Sequence, residues 1–220
     1  MCFSATASFG SSAAIAVVGV ATLARSEHRK EWLFAAIPLL FALHQFTEGA
    51  VWLALDGNEA WGGLEPWGFA YMLYAQGLLP LLIPLSIWLI EPGRRRRLLI
   101  LPFLALGAAL TAYQLWALLE FPTRIYMEGH SVAYRNPATN HSLIAILYVI
   151  ATCGSLFFSG YRYIMVLGAV NLLGVLIVLW LKHYAFTSVW CAYAALVSVL
   201  IFFHFTRRRQ AERRGRVLQH

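Results

Sequence analysis

Four residues whose side chains can bind metal ions or transfer protons are the candidates for a functional site: Cys2, His44, Glu48 and His183. Glu48 lies inside the apolar run ALHQFTEGAVW, residues 42–52, and it is the only acidic residue within a long apolar segment. A carboxylate in the hydrocarbon of a membrane costs several kcal/mol unless it is paired, protonated or faces a cavity. We therefore predict that Glu48 belongs to a functional site.

The spacing and the chemistry of these residues indicate a metal site. His44 and Glu48 are four positions apart, so their side chains lie on one face of a helix. Removal of Met1 would leave Cys2 with a free α-amine beside its thiol, a pair that chelates metal or acts as an N-terminal nucleophile. Thiolate, imidazole and carboxylate ligands suit zinc, and copper also accepts them. We predict a Zn or Cu site with Cys2, His44, Glu48 and His183 as ligands.

Polar and aromatic residues on the predicted outer side of the membrane would bind a substrate. A metal with an open coordination position would activate water to hydrolyse a lipid or a small amphiphile, with Glu48 and Cys2 as catalytic residues. Two residues flanking Glu48, a stripe on the fourth helix and a tyrosine of the next loop would contact that substrate. These residues are Gln45, Trp52, Tyr113, Trp116, Glu120 and Tyr126.

Two stretches of the sequence, MCFSATASF at the start and HQFTEGAVW in the second helix, resemble a domain-of-unknown-function family of small prokaryotic membrane proteins. Proteins of that family begin Met-Cys-Phe-Ser and carry Gln-x-x-Glu-Gly-x-x-Trp in their second helix. The resemblance implies that Cys2, Gln45, Glu48 and Trp52 belong to one site. It rests on the first 60 residues and implies a site without implying a reaction.

The composition is typical of a membrane protein. Hydrophobic residues make up 60% of the 220 residues and charged residues 12%, whereas soluble domains contain about 25% charged residues. The three cysteines form no C-x-x-C pair, so neither a zinc ribbon nor a disulfide framework is indicated. Backbone groups in lipid must be hydrogen-bonded within their own segment, which favours helices. We predict an all-α fold, a bundle of seven transmembrane helices in one domain.

The seven apolar segments contain 18 to 24 residues each, enough to cross a hydrocarbon core of about 30 Å. Pro80 and Pro84 are expected to kink the third segment. The loop 120–141 alternates apolar and polar residues around Gly129, which predicts a small β-hairpin over the outer side of the bundle. The segments are 5–24, 32–55, 68–90, 98–119, 142–159, 161–181 and 184–206, and a basic tail follows at 207–220.

The distribution of basic residues predicts the orientation of the bundle. Fourteen of the 17 Lys and Arg residues lie beside segment ends that would share one side of the membrane. The positive-inside rule places that side in the cytoplasm, so the N-terminus is extracytoplasmic and the C-terminus cytoplasmic. We expect a multi-pass protein of the plasma membrane whose basic residues contact membrane lipid. The net charge of +7 therefore does not indicate nucleic-acid binding.

Two other functions fit the same pattern. In a proton- or cation-coupled transporter or channel, Glu48 would bind the coupling ion and the prolines of the third segment would form a hinge. In a ligand-binding sensor, the outer aromatic residues would enclose an apolar or amphiphilic small molecule without catalysis. A retinal protein is disfavoured because the last segment, 184–206, contains no lysine.

Reporter fusions test the predicted orientation. Alkaline phosphatase fused after Asn58 should be active, because this enzyme folds only outside the cytoplasm and Asn58 follows the second segment. The same enzyme fused after His220 should be inactive, whereas a green fluorescent protein at His220 should fluoresce. Phosphatase activity at His220 would show that the bundle has the opposite orientation.

Overall fold

The computed structural model describes residues 4–58, 61–129, 131–181, 197 and 199–217. These residues form helices and one antiparallel β-hairpin, and a short 3₁₀ turn, Arg29–Glu31, leads into the second helix. The elements are α1 (Ala5–Leu23), α2 (Trp32–Leu55), α3 (Leu64–Met72), α4 (Leu79–Ile90), α5 (Arg94–Glu120), β1 (Arg124–Glu128), β2 (Ser131–Arg135), α6 (Ser142–Phe157), α7 (Arg162–Leu181) and α8 (Val199–Val217).

Several of these helices have the length and composition of membrane spans. The predicted mainly helical fold with a small β-hairpin is confirmed. The seven spans and their orientation stay predictions, and residues 182–196 of the seventh predicted segment lie outside the described residues. The stretches long and apolar enough to cross a membrane are Ala5–Leu23, Arg29–Leu55, Leu64–Ile90 and Arg94–Glu120, and two shorter apolar helices are Ser142–Phe157 and Arg162–Ile177.

Some helix boundaries differ from the predicted ones. The third and fourth segments were predicted to begin at residues 68 and 98, where the apolar residues begin. In the structure α3 begins at Leu64 and α5 at Arg94. Arginine is a good helix former, so the helix extends beyond its apolar part. α6 ends at Phe157 rather than at 159 because the chain bends at Gly160.

Helices α1 and α2 pack with their backbones close together. A Cβ atom on Gly19 would lie only 2.7 Å from the backbone nitrogen of Leu39. Ser12 Oγ donates a hydrogen bond to the carbonyl oxygen of Ala42 at 2.8 Å. Small residues at helix interfaces permit this approach in membrane proteins, where apolar burial alone drives little association. The buried residues of α1 are Ser8, Ser12, Ile15, Gly19 and Thr22.

A π-helical segment, Leu73–Leu78, joins α3 to α4. In this geometry each N–H bonds the carbonyl five residues earlier, as the Leu79 N–H does with the Tyr74 carbonyl. The next donor would be residue 80, which is a proline and has no N–H. The hydroxyl of Tyr148 on α6 donates instead to the Ala75 carbonyl, at 2.6 Å. The irregularity expected from the prolines is therefore a π-helix whose missing donor comes from another helix.

The second proline of this helix removes a further backbone donor. Pro84 has no N–H, so it leaves the carbonyl of Pro80, four residues earlier, without its usual helical partner. Helix α5 presents Gly107 at this point, and a Cβ atom there would collide with the Pro80 carbonyl oxygen. Glycine thus allows the α5 backbone to lie directly against the exposed carbonyl.

Loops rich in arginine meet at one end of the bundle, which we call the arginine-rich end. The buried carboxylate of Glu91 accepts a hydrogen bond from the Gly160 N–H at 2.7 Å, and Arg96 Nη1 donates to the Ser159 carbonyl at 2.7 Å. These contacts join the α4–α5 loop to the α6–α7 loop. The α1–α2 loop contacts α8 through the buried Glu31, which pairs with Arg208 at 2.7 Å.

The hairpin lies at the opposite end, which we call the hairpin end. In β1 and β2, Tyr126 pairs with Ala133 in antiparallel register. Asn136, just after β2, donates through Nδ2 to the carbonyl of Phe121 at 3.0 Å and so fixes the hairpin to the end of α5. Ile125 of β1 fills the space beside Gly68 of α3, where a Cβ atom would collide with it.

Tyr148→Phe should destabilise the protein because it removes the donor to the Ala75 carbonyl inside the bundle. A buried carbonyl left without its partner costs about 1–3 kcal/mol. Thermal unfolding of the purified protein in detergent measures the loss. Tyr113→Phe is the matched control, since the Tyr113 hydroxyl donates to the Ala138 carbonyl at an exposed position, where water replaces the lost bond. Equal loss of stability in both variants would contradict this role of Tyr148.

Candidate functional site

The face of α2 that carries Glu48 is buried in the bundle. Glu48 and Gln45 are fully buried. Gln45 Nε2 donates to Glu48 Oε2 at 3.4 Å, and Ser11 Oγ of α1 donates to Gln45 Oε1 at 3.3 Å. The Gln45 amide therefore links a hydroxyl of α1 to the carboxylate of α2. This arrangement offsets part of the cost of burying Glu48.

His44 lies one turn before Glu48 and contacts two tyrosine rings. Its ring stacks on that of Tyr71 with centroids 4.1 Å apart, and the centroid of the Tyr74 ring is 4.9 Å away. His44 is only 2% exposed. Neither of its ring nitrogens has a hydrogen-bond partner among the described residues. A neutral imidazole offers one donor and one acceptor, so His44 has unused binding capacity inside the protein.

Gly49 makes room for an aromatic cover beside Glu48. A Cβ atom on Gly49 would lie 2.7 Å from the ring of Phe9, so only glycine lets α1 place this ring against α2. The Phe9 ring also contacts those of Phe46 and Trp61, with centroids 5.2 Å and 5.6 Å away. These rings form an aromatic cluster on the α1 side of the site.

Two further polar atoms near Glu48 have no hydrogen-bond partner within the part of the chain that the structure describes: Trp52 Nε1 and Ser8 Oγ. Trp52 follows Glu48 by one turn and is 6% exposed, and Ser8 is fully buried. Since Ser11 contacts Gln45 and α1 and α2 are antiparallel, Ser8 lies at the level of Glu48. The described part of the chain therefore leaves Trp52 Nε1 and Ser8 Oγ without a hydrogen bond.

The hairpin covers the tyrosine side of the site. Tyr134 of β2 stacks on Tyr71 with ring centroids 4.3 Å apart and an interplanar angle of 7°. The three rings Tyr134, Tyr71 and His44 thus form a stack from the hairpin to α2. The hairpin closes the bundle above His44 through this stack.

Several predicted substrate-binding residues lie elsewhere. Tyr113 and Trp116 on α5 are 36% and 51% exposed, and Glu120 at the end of this helix is exposed as well. Tyr126 on β1 is half-buried beside the guanidinium of Arg135. The structure therefore brings Gln45 and Trp52 to Glu48, and it places the other four on the surface of α5 and the hairpin.

The predicted metal ligands are described only in part. His44 and Glu48 share the buried face of α2, but Cys2 and His183 lie outside the described residues. Within the described ranges, no three or more His, Cys, Asp or Glu residues are grouped so that they would hold a metal ion. Of the four predicted ligands, the structure describes only His44 and Glu48.

The structure adds residues to the site that the sequence pattern did not assign to it. Ser11 and Phe9 approach from α1, and Tyr71, Tyr74 and Tyr134 approach from α3, the π-helix and the hairpin. Tyr71 and Tyr74 are three positions apart and thus share one helix face. That spacing was visible in the sequence. Their direction towards His44 was not.

Gly49→Leu should destabilise the protein because the new side chain would displace the Phe9 ring. Overpacking of this kind costs about 1–3 kcal/mol. Gly10→Leu is the matched control: Gly10 is also helical, but a Cβ atom there meets nothing within 4 Å. Phe9→Ala combined with Gly49→Leu should recover part of the stability, measured by thermal unfolding. A Gly49→Leu protein as stable as Gly10→Leu would contradict the packing of Phe9 against Gly49.

Comparison with known proteins places the chain in a family. The model of a family of unknown function, DUF6629, matches residues 1–216. No curated protein and no solved structure matches the chain. The expected membership in a domain-of-unknown-function family is thereby confirmed, over nearly the whole chain rather than its first part alone. The chain belongs to the DUF6629 family of proteins of unknown function.

Proposed function

We propose that the chain is a multi-pass protein of the plasma membrane and that His44 and Glu48 form the centre of a metal site near its extracytoplasmic side. Four apolar helices of membrane length support the insertion into a membrane. The concentration of arginines at the end opposite the hairpin supports the orientation, because basic loops remain in the cytoplasm. Glu48 lies two turns below the hairpin end of α2, about 10 Å at 1.5 Å per residue.

The observation that carries the proposal is the buried His44, whose two ring nitrogens have no partner among the residues that the structure describes, one turn from the buried Glu48. An unsatisfied buried polar group costs about 1–3 kcal/mol, and here the donor and the acceptor of one ring are both unsatisfied. A metal ion bound to an imidazole nitrogen and to a carboxylate oxygen would use the ring's lone pair and neutralise the buried charge. Neutral imidazole and carboxylate are among the ligands that zinc prefers.

Cys2 and His183 are the proposed additional ligands. Zinc sites usually have about four ligands, of which catalytic sites leave one to water. Ser4, which caps the N-terminus of α1 through its side chain, lies at the same end of α1 as the Phe9 that contacts Gly49. Cys2 precedes Ser4 by two positions in the sequence, which supports its choice as a ligand. A cysteine thiolate and the Glu48 carboxylate together would balance a divalent charge, and copper would accept the same ligands.

The same residues would support hydrolysis of a lipid or a small amphiphile. A bound metal with an open position would supply activated water. Glu48, with Gln45 as its hydrogen-bond donor, would exchange the proton, and Cys2 would act as the second catalytic residue. Trp52 Nε1 would donate a hydrogen bond to the substrate, because this buried donor has no partner in the described ranges. The aromatic cover of Phe9 and Trp61 would exclude bulk water.

Metal analysis tests the proposal. Purified full-length protein is loaded with Zn²⁺ or with Cu⁺ and desalted, and elemental mass spectrometry measures the number of ions bound per chain. The affinity for the metal is then measured by competition with a chelating dye. Close to one ion per chain is expected. His44→Phe and Glu48→Gln should each weaken binding by about 100-fold or more, since loss of a supporting residue alone costs 10–100-fold. Cys2→Ser and His183→Gln should weaken it similarly.

His141→Gln is the matched control, because His141 is exposed at the start of α6. It should leave stoichiometry and affinity unchanged and so exclude weak binding to surface histidines. Wild-type protein that retains neither metal, or binding that is unaltered by His44→Phe and Glu48→Gln, would overturn the proposal.

A further inference from the structure

A cavity of about 50 Å³ lies inside the bundle, farther from the hairpin end than the His44–Glu48 site. In the part of the chain that the structure describes, eight of its twelve lining residues are Phe, Ile or Leu. Helices α2, α4, α6, α7 and α8 all contribute to its wall. Most of this wall offers only dispersion contacts, which suit a hydrocarbon group.

The polar side chains of the wall already have partners in the backbone. The Tyr148 hydroxyl donates to the Ala75 carbonyl at 2.6 Å, and the Thr152 hydroxyl donates to the carbonyl of Tyr148 at 2.8 Å. Asn171 Nδ2 donates to the Leu167 carbonyl at 2.9 Å. A buried water needs about two to four polar partners, and these bonds leave few for it. The wall therefore favours an apolar occupant over water or an ion.

The volume of the cavity limits the size of this occupant. An engineered cavity of roughly 150 Å³ lined by Leu, Ile and Phe stays dry and binds benzene. The cavity in this protein, at about 50 Å³, has about one third of that volume and so holds on the order of two or three carbon atoms. It fits the end of an alkyl chain and is too small for an aromatic ring.

One face of α2 connects the cavity to the candidate site. Ile37 and Phe41 line the cavity, and His44 follows Phe41 by three positions on the same face. The Phe41 ring packs edge-on against that of Tyr74 with centroids 5.8 Å apart, and the Tyr74 ring contacts His44 at 4.9 Å. One layer of aromatic rings thus separates the imidazole from the cavity.

We propose that the cavity binds the end of the alkyl tail of the amphiphile on which the His44–Glu48 site acts. This inference rests on the function proposed above and adds the apolar half of the substrate. The polar group of the amphiphile would lie at His44 and Glu48, and its tail would pass between the rings of Phe41 and Tyr74, which rotate to admit it. The small volume favours a short tail over the long acyl chain of a membrane phospholipid.

Cys153 offers a way to change the volume of the cavity without touching the candidate site. It is buried on α6 and lines the cavity. A free cysteine in such a place packs as a small apolar side chain. Leucine at this position would occupy part of the cavity, whereas alanine would enlarge it. The two substitutions should therefore change the preferred tail length in opposite directions.

Binding of n-alkanethiols tests the tail cavity. Full-length protein in lipid nanodiscs is loaded with Zn²⁺ or with Cu⁺, and thiols of increasing chain length are titrated by calorimetry, because a thiolate binds either metal. Each methylene that enters the cavity should raise the affinity about fourfold, and the gain should stop once the cavity is full. Cys153→Leu should end the gain at a shorter chain and weaken binding of the longest effective thiol about 15-fold, the equivalent of two methylenes. Cys153→Ala should extend the gain to a longer chain.

Ala145→Leu is the matched control, because Ala145 is exposed on the same helix. It should bind every thiol as the wild type does. At each chain length the ratio of variant to wild-type affinity cancels partitioning of the thiol into the lipid. If Cys153→Leu does not fold, the shift in Cys153→Ala decides alone.

Two results would overturn the tail cavity and leave the metal site intact. One is a metal-loaded protein in which the affinity ratio of the Cys153 variants to the wild type is the same at every chain length. The other is a shift of the preferred length in Ala145→Leu as large as that in the Cys153 variants. A protein that binds no metal would instead reject the function on which the inference rests.

Discussion

The burial of the Glu48 carboxylate inside an apolar helix is the constraint on which the hairpin half of the structure depends. Gln45 on the same helix donates a hydrogen bond to the carboxylate, and Ser11 on α1 donates one to Gln45. These bonds offset part of the free-energy cost of burying Glu48. For Ser11 to reach Gln45, the two backbones must lie close together, which the small residues of α1 permit. Gly49 then accepts the ring of Phe9 directly beside the carboxylate. The close α1–α2 contact is thus a condition for the site as much as for the fold.

The same rule, that polar groups inside the bundle need partners, explains the irregular helix next to the site. Two prolines deprive α4 of backbone donors, and the structure responds with a π-helix, a tyrosine hydroxyl from α6 and a glycine of α5. Tyr71 and Tyr74 belong to this α3–π stretch and contact His44. A shift in the π-helix would therefore move the rings that enclose the imidazole. The backbone irregularity and the candidate site are mechanically connected.

The buried polar residues fall into two groups with different meanings. Glu91 accepts backbone N–H bonds and Glu31 pairs with Arg208, so these carboxylates have the partners expected of residues that join loops. His44 and His204 are as deeply buried, but ring nitrogens in both have no partner within the described residues. Groups of the first kind stabilise the fold. Groups of the second kind cost stability unless something else binds them.

The sequence by itself determined the mainly helical fold and the hairpin, and it singled out Glu48 as the candidate residue. Helix length, hydropathy and the alternation around Gly129 are local properties, and one carboxylate in an apolar run is conspicuous without any tertiary information. The tertiary structure alone decided which side chains surround Glu48. Ser11 and Gln45 are 34 positions apart, and Tyr71 and Tyr134 are further apart still, so no local period relates them. A stripe such as Tyr113 and Trp116 specifies one face of a helix, but only packing against neighbours determines whether that face turns inward or, as here, outward.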